Sequence, residues 1–328
     1  MNNGILKKGE FLIGPLRCAS SLRYILFPPS VVASSSSSLK GTYPSCSSFL
    51  SQEVRSGMGI LFIFLSSVNF VYADQESLLK DKNGDQTVSI LAFGDSLTYG
   101  IGDGLAPGAV VEEPSRESSP GGYPKRLQTL LGVKVTNSGV PGEQLVADGS
   151  DRFVRALRSS SADIALIMAG SNDANLQVSL SSYRNSLQRV INAASALGRL
   201  PVLLTIPPPG GNKLPLRPFT DSFTREQERA AFFNQLPLAD IARAFKTTCK
   251  NINNCELLNL PEGLHPNSLG YDVMAQTVSA TLYGIDIFSE NGATDLAVAL
   301  GVSPSEIKVL PDLAGVTKSA ALSELGNY

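Results

Sequence analysis

The chain contains a single histidine, His265. A proton shuttle working near neutral pH must use that imidazole or do without histidine, since imidazole is the side chain whose unperturbed pKa, about 6.5, lies in that range. A metal site of two or three histidines is excluded. The four cysteines, Cys18, Cys46, Cys249 and Cys255, lack zinc-site spacing. No metal or cofactor is expected, and the chemistry is that of the imidazole. A serine hydroxyl paired with the imidazole would supply it, because serine is a weak nucleophile until an adjacent base takes its proton. Ser96 is the candidate. It stands in Gly94-Asp95-Ser96-Leu97, directly after the apolar run Thr87–Phe93. A serine just past the carboxyl end of a central strand is where an α/β fold displays a nucleophile, and Gly94 lets the turn be tight. Alone, this tetrapeptide reads no better than an ordinary loop serine.

The elements that must hold these residues follow from the hydrophobic pattern. From Gln86 onward, short apolar runs alternate with helical spacing. Thr87–Phe93, Val133–Asn137, Asp163–Ala169, Leu200–Ile206 and Glu256–Leu260 read as buried parallel strands. Tyr183, Leu187, Val190, Ile191, Ala194 and Leu197 recur at helical steps that stop at Gly198. Leu236–Phe245 reads as helix, with Pro237 near its start or kinking it, and Met274, Val278 and Leu282 mark a further helix. Five strands alternating with helices predict an α/β fold: a three-layer, doubly wound sheet of about five parallel strands with helices on both faces. Such sheets hold ligands beyond the carboxyl ends of their strands. Three more polar clusters stand at strand ends: Asn137-Ser138-Gly139-Val140-Pro141-Gly142, Gly170-Ser171-Asn172-Asp173 and Glu262-Gly263-Leu264-His265-Pro266-Asn267. Four clusters converging on one edge are hard to assign to four unrelated loops.

In these four blocks the chain resembles the SGNH (GDSL-type) hydrolase family, whose Ser, Gly, Asn and His occur in this order. The resemblance spans roughly residues 88–283 and is similar in style to small bacterial arylesterases, lysophospholipases and acyl thioesterases. It implies the flavodoxin-like form of the sheet. It also implies an acyl-enzyme formed on Ser96, with His265 as general base. The tetrahedral intermediate needs preorganised donors for its oxyanion, and the resemblance assigns three: the backbone N–H of Ser96, the backbone N–H of Gly142 and the side-chain amide of Asn172. Gly139 is the alternative to Gly142.

The third triad position departs from the family pattern. The family usually has Asp three residues before the histidine, where this chain has Glu262. Glu262 binds Nδ1–H of the ring directly, or reaches it with altered geometry, or is exposed while a backbone carbonyl orients the ring. The first reading is favoured, since a Ser-His-Glu triad is chemically sound. Asp95 and Asp173 flank these positions and read as structural, accepting backbone N–H groups in their turns.

Composition bounds the partners. Net charge is −2 with no basic run, so no nucleic-acid partner is expected. The expected substrate is a small acyl ester, a lipid ester among the possibilities. Oligomeric state is open. A carbohydrate O-acetylesterase is the runner-up, weakened by the absence of Trp, a residue that stacks on sugar rings. A catalytically silent binding protein on the same fold is the alternative from another class.

Residues 1–57 are Ser-rich and poor in acids, like a transit peptide or disordered leader, and 58–73 form the hydrophobic segment of a signal peptide. The apolar run Gly57–Ala73 ends in Val71-Tyr72-Ala73, a pattern signal peptidase accepts. Export with cleavage near Ala73 is the favoured reading. A two-stage leader and an uncleaved anchor are the others, the run being at the short limit for a span. In an oxidising compartment Cys249 and Cys255 could pair across Lys250–Asn254. The hydrolase domain is placed at 86–287. Within it, the Pro- and Gly-rich segment Gly100–Gly122 and the stretch Ile206–Gly211, with Leu214, Leu216 and Phe219, could wall the site or merely cover the sheet. The extension 288–328 is expected to pack on the domain, with a short helix over Ala293–Leu300.

Overall fold

The computed structural model describes residues 76–104 and 121–312. The leader, the hydrophobic segment 58–73, most of the segment 100–122 and the final stretch 313–328 lie outside the described residues. Strands Ser89–Gly94 (β1), Lys134–Gly139 (β2), Ile164–Met168 (β3), Leu200–Leu204 (β4) and Leu238–Ala239 (β5) form one all-parallel sheet in the order β2-β1-β3-β4-β5. This is the flavodoxin-like order, in which the chain reverses direction across the sheet between β1 and β3. Every residue of β1 and β3 is buried, as unbroken apolar runs in a doubly covered sheet require.

Helices Gly122–Leu131 (α2), Ile241–Thr248 (α7) and Ser268–Tyr283 (α8) pack together, and Ser150–Arg158 (α3), Leu180–Ala196 (α5) and Arg217–Asn234 (α6) pack together. The right-handed crossover rule puts α2 on one face of the sheet and α3, α5 and α6 on the other, and α8, which follows β5, packs on α2. Helix α5 stops where the sequence predicts, with Gly198 left-handed at φ +72°. Two short helices, Ser96–Tyr99 (α1) and Ser171–Asn175 (α4), lie at strand exits.

Strand register is what gathers the site. Gly94 pairs with Gly139 on one side and Met168 on the other. The chain therefore leaves β1, β2 and β3 at the same level, and neighbouring strands are about 4.8 Å apart. Two glycines let α1 settle into the gap between these exits. A Cβ on Gly94 would lie 2.2 Å from the Met168 carbonyl oxygen and from Thr98 Oγ1, and one on Gly139 would lie 2.2 Å from the Tyr99 nitrogen. Because the latter clash is with backbone, Gly139→Ala is expected to destabilise the protein by about 3 kcal/mol or more. Thermal unfolding would show this as a fall in Tm on the order of 10 °C. An unchanged Tm would contradict the packing described.

The fifth strand differs from expectation. Glu256–Leu260 is a set of turns, with one isolated antiparallel bridge between Leu258 and Pro266. Its Leu257 and Leu258 are buried, but the segment pairs with its own loop: the Asn259 N–H donates to the His265 carbonyl and the Asn267 N–H to the Leu257 carbonyl. The strand is instead Leu238–Ala239, inside the segment that reads as helix, and α7 starts only at Ile241, capped by Asp240. Cys249 and Cys255 are joined as a disulfide. The extension packs on the domain as far as Asp312. Its helix Gly292–Leu300 (α9) buries Leu296 and Ala297, and the Gln276 side chain binds the Glu306 carbonyl and the Lys308 N–H.

Candidate active site

Ser96 is the first residue of α1, capped by Asp95, whose carboxylate accepts the Leu97 N–H at 2.9 Å. At that position its own N–H has no carbonyl within the helix to bond. The Ser96 hydroxyl lies 3.0 Å from His265 Nε2, and His265 Nδ1 lies 3.1 Å from Glu262 Oε1. The sequence-predicted triad is thus brought together across a separation of 169 residues. Glu262 carries its extra methylene by folding back on its own loop. Its Oε2 accepts the Leu264 N–H at 2.8 Å and the His265 N–H at 2.9 Å, leaving Oε1 for the ring. Burial raises the Glu262 carboxyl, but the hydrogen bonds from the His265 ring, the His265 N–H and the Leu264 N–H outweigh it and hold it below the ordinary glutamate value. An ionised carboxylate only accepts, so Nδ1 carries the proton and Nε2 presents its lone pair to the serine.

The loop bearing His265 is tied to the segment that follows the serine. The Asn259 amide donates to the carbonyls of Pro266, at 2.9 Å, and of Gly102, at 3.2 Å. The buried Tyr271 hydroxyl donates to the Ile101 carbonyl at 2.7 Å. Arg126 of α2 forks onto Asp103 and reaches Asp272 and Ser268 at the start of α8. These bonds set the distance between the two halves of the triad.

The other exits supply donors. Gly142 sits at φ +80° with open space where a Cβ would point, and among the described residues nothing accepts from its N–H. Gly139 is a packing position instead, its N–H given to Asn137 Oδ1 at 2.9 Å. Asn172, in α4, directs its amide at the Glu143 carbonyl, 2.9 Å away, and at Asp95 Oδ2, 3.3 Å away. Asp95 and Asp173 hold backbone as expected, the latter accepting the N–H groups of Leu145 and Val146. Burial pushes the Asp95 carboxyl up to about 7, against the Leu97 N–H and the nearby His265, while Asp173 and Glu143 add to the rise.

Among the described residues, the cluster with ligand-type atoms close enough to share a metal is Cys249, Cys255 and Glu256, whose sulfurs are bonded to each other. Sequence reasoning passed over Glu143, Arg152, Asn259 and Arg126. Each is an ordinary polar residue whose partners sit on other turns and helices at no fixed spacing, so no local pattern marks it.

The model of the GDSL-like lipase/acylhydrolase family matches residues 92–273, a span that contains all five proposed site residues. No curated protein matches. Among solved structures, a catalytic mutant of an acetylxylan esterase from Geobacillus stearothermophilus is 24% identical, with a TM-score of 0.50 over 60% of this chain and 94% of that one. The lipase/acylhydrolase from Enterococcus faecalis is 24% identical, with a TM-score of 0.49 over 60% of this chain and 96% of that one. The first likeness shows the shared fold.

Proposed function

This chain belongs to the GDSL-like lipase/acylhydrolase family, and from that membership we propose that it cleaves carboxylic esters, lysophospholipids or acyl thioesters through an acyl-enzyme on Ser96. The observation that carries this reading is the continuous line of contacts from Ser96 Oγ to His265 Nε2, 3.0 Å, and from His265 Nδ1 to Glu262 Oε1, 3.1 Å. As Ser96 Oγ bonds to the acyl carbon, its proton passes to Nε2. The carbonyl oxygen becomes an oxyanion facing the N–H groups of Ser96 and Gly142 and the amide of Asn172, which keeps its bond to the Glu143 carbonyl and gives up its longer 3.3 Å contact with Asp95 to donate there. The imidazolium then gives its proton to the departing alkoxide or thiolate. Water repeats the sequence on the acyl-serine, with His265 again taking the proton, and restores the free serine. No step calls on a metal.

The Cys249–Cys255 disulfide supports an oxidising compartment and so the exported location read from the leader. Among the described residues no helix is long and apolar enough to cross a membrane.

Turnover of p-nitrophenyl acetate, butyrate and octanoate in the presence of EDTA is expected, together with labelling of Ser96 by a fluorophosphonate. Acetylated xylan belongs in the same panel. Turnover of it alone would move the substrate class to carbohydrate O-acetyl groups with the same triad. A folded protein that neither turns over nor labels would be a silent binding protein.

A further inference from the structure

The three oxyanion donors come from three different segments: Ser96 after β1, Gly142 after β2 and Asn172 after β3. An oxyanion hole works only while its donors keep their mutual positions to about 0.5 Å. One side chain on α3 reaches the first two of these segments directly and the third through Glu143. The Arg152 guanidinium lies over the Phe93 ring, 4.2 Å from its centroid, and its Nη2 donates to the Gly94 carbonyl at 3.2 Å, two residues before Ser96. Its Nη1 donates to Ser138 Oγ at 2.9 Å, at the end of β2. Its Nε and Nη2 fork onto both carboxylate oxygens of Glu143, the residue after Gly142. Glu143 in turn uses its backbone carbonyl to hold the Asn172 amide at 2.9 Å. Neither partner of this ion pair is well solvated, the side chains being 21% and 10% exposed. Arg152 bonds neither His265 nor Glu262.

We propose that Arg152 is a positioning residue of the oxyanion hole, acting through Glu143 and Gly94 to set the places of the Gly142 N–H, the Asn172 amide and the Ser96 N–H. The inference rests on the serine-hydrolase reading above. The fork matters more than the charge. Lysine keeps the charge but offers a point donor that cannot hold both carboxylate oxygens, Ser138 and the Gly94 carbonyl together. Displacement of donors by about 1 Å can cost on the order of 10²-fold in rate.

The test is Arg152→Lys in the whole protein, with Glu143→Gln and the double variant beside it. Arg152→Lys is expected to lower kcat by about 10²-fold with KM within about threefold of the wild type, because a hole formed for the oxyanion matters little to the bound ester. The pH profile of kcat is expected to keep its shape, since the triad contacts are untouched. Inhibition by a phenylboronic acid, which becomes tetrahedral on the serine, is expected to weaken by a similar factor. The double variant is expected to fall little below Arg152→Lys alone, both changes cutting one connection. Four results would overturn the proposal: a folded Arg152→Lys with kcat within threefold of wild type, a loss confined to Tm, a loss that falls on KM alone, or a double variant whose loss is the product of the two. Full turnover in Ser96→Ala would sink the underlying reading instead, and this control separates the two failures.

Discussion

Ser96→Ala is expected to lower kcat for p-nitrophenyl butyrate by on the order of 10⁵–10⁶-fold, His265→Ala by a similar factor, and the double variant no further. The reason lies in the single contact that joins them. The hydroxyl at 3.0 Å from Nε2 is a nucleophile only through the imidazole, and the imidazole has no other route to the acyl carbon. Removing either group removes the same step, so the losses do not add. The rate that survives in all three variants measures what the oxyanion donors and binding do without a nucleophile, expected at about 10³–10⁴ over water. Losses that multiplied would mean that the two residues act in separate steps. Appreciable turnover in Ser96→Ala would move the nucleophile elsewhere.

Glu262→Ala is expected to lower kcat by about 10³–10⁴-fold with little change in KM. Two functions leave with the carboxylate: the partner that keeps the Nδ1 proton in place, and the negative charge that stabilises the imidazolium. Glu262→Gln retains the shape but can present an amide N–H to Nδ1, which favours the opposite tautomer, so it too is expected to lose at least 10²-fold. The carboxyl also links folding to pH. Its pKa is held below the unfolded value, so its contribution to stability is present above the unfolded glutamate pKa of about 4.3 and is lost as pH falls through the folded value. Urea unfolding at pH 7 and pH 3.5 should therefore show a larger acid-induced loss in the wild type than in Glu262→Gln. Equal losses, or unchanged kcat in Glu262→Ala, would remove Glu262 from the triad.

The site was more legible in the sequence than the element that neighbours it. Buried parallel strands announce themselves as apolar runs, and polar clusters at their ends mark where they emerge, so the four blocks could be set on one sheet edge, and the family resemblance then singled out Ser96, Gly142 and Asn172 within them. Glu256–Leu260 shows the same signal with a different outcome. Its leucines are buried, but Pro261 and the side chains of Asn259 and Asn267 turn the chain back on itself, and the backbone finds partners within its own loop. The true fifth strand, Leu238–Ala239, is two residues long, too short for a period of two to show against the helix that follows. Arg152 was invisible for another reason. Its meaning depends on Phe93, Gly94, Ser138 and Glu143 meeting in space, which only the register of β1 against β2 brings about.

That register also decides where the chain can change length. One residue added to or removed from β1 upstream of Gly94 would slide Ser96 by about 3.3 Å along the strand and turn it to the opposite face, away from His265. The same step in β2 or β3 would misplace Gly142 or Asn172. Insertions between Gly104 and Gly121 leave every strand pair, and the contacts of Ile101, Gly102 and Asp103, as they are. The route open to length variation in a lineage carrying this site, and to an engineer grafting a new recognition segment onto it, therefore runs through that connection and not through the sheet.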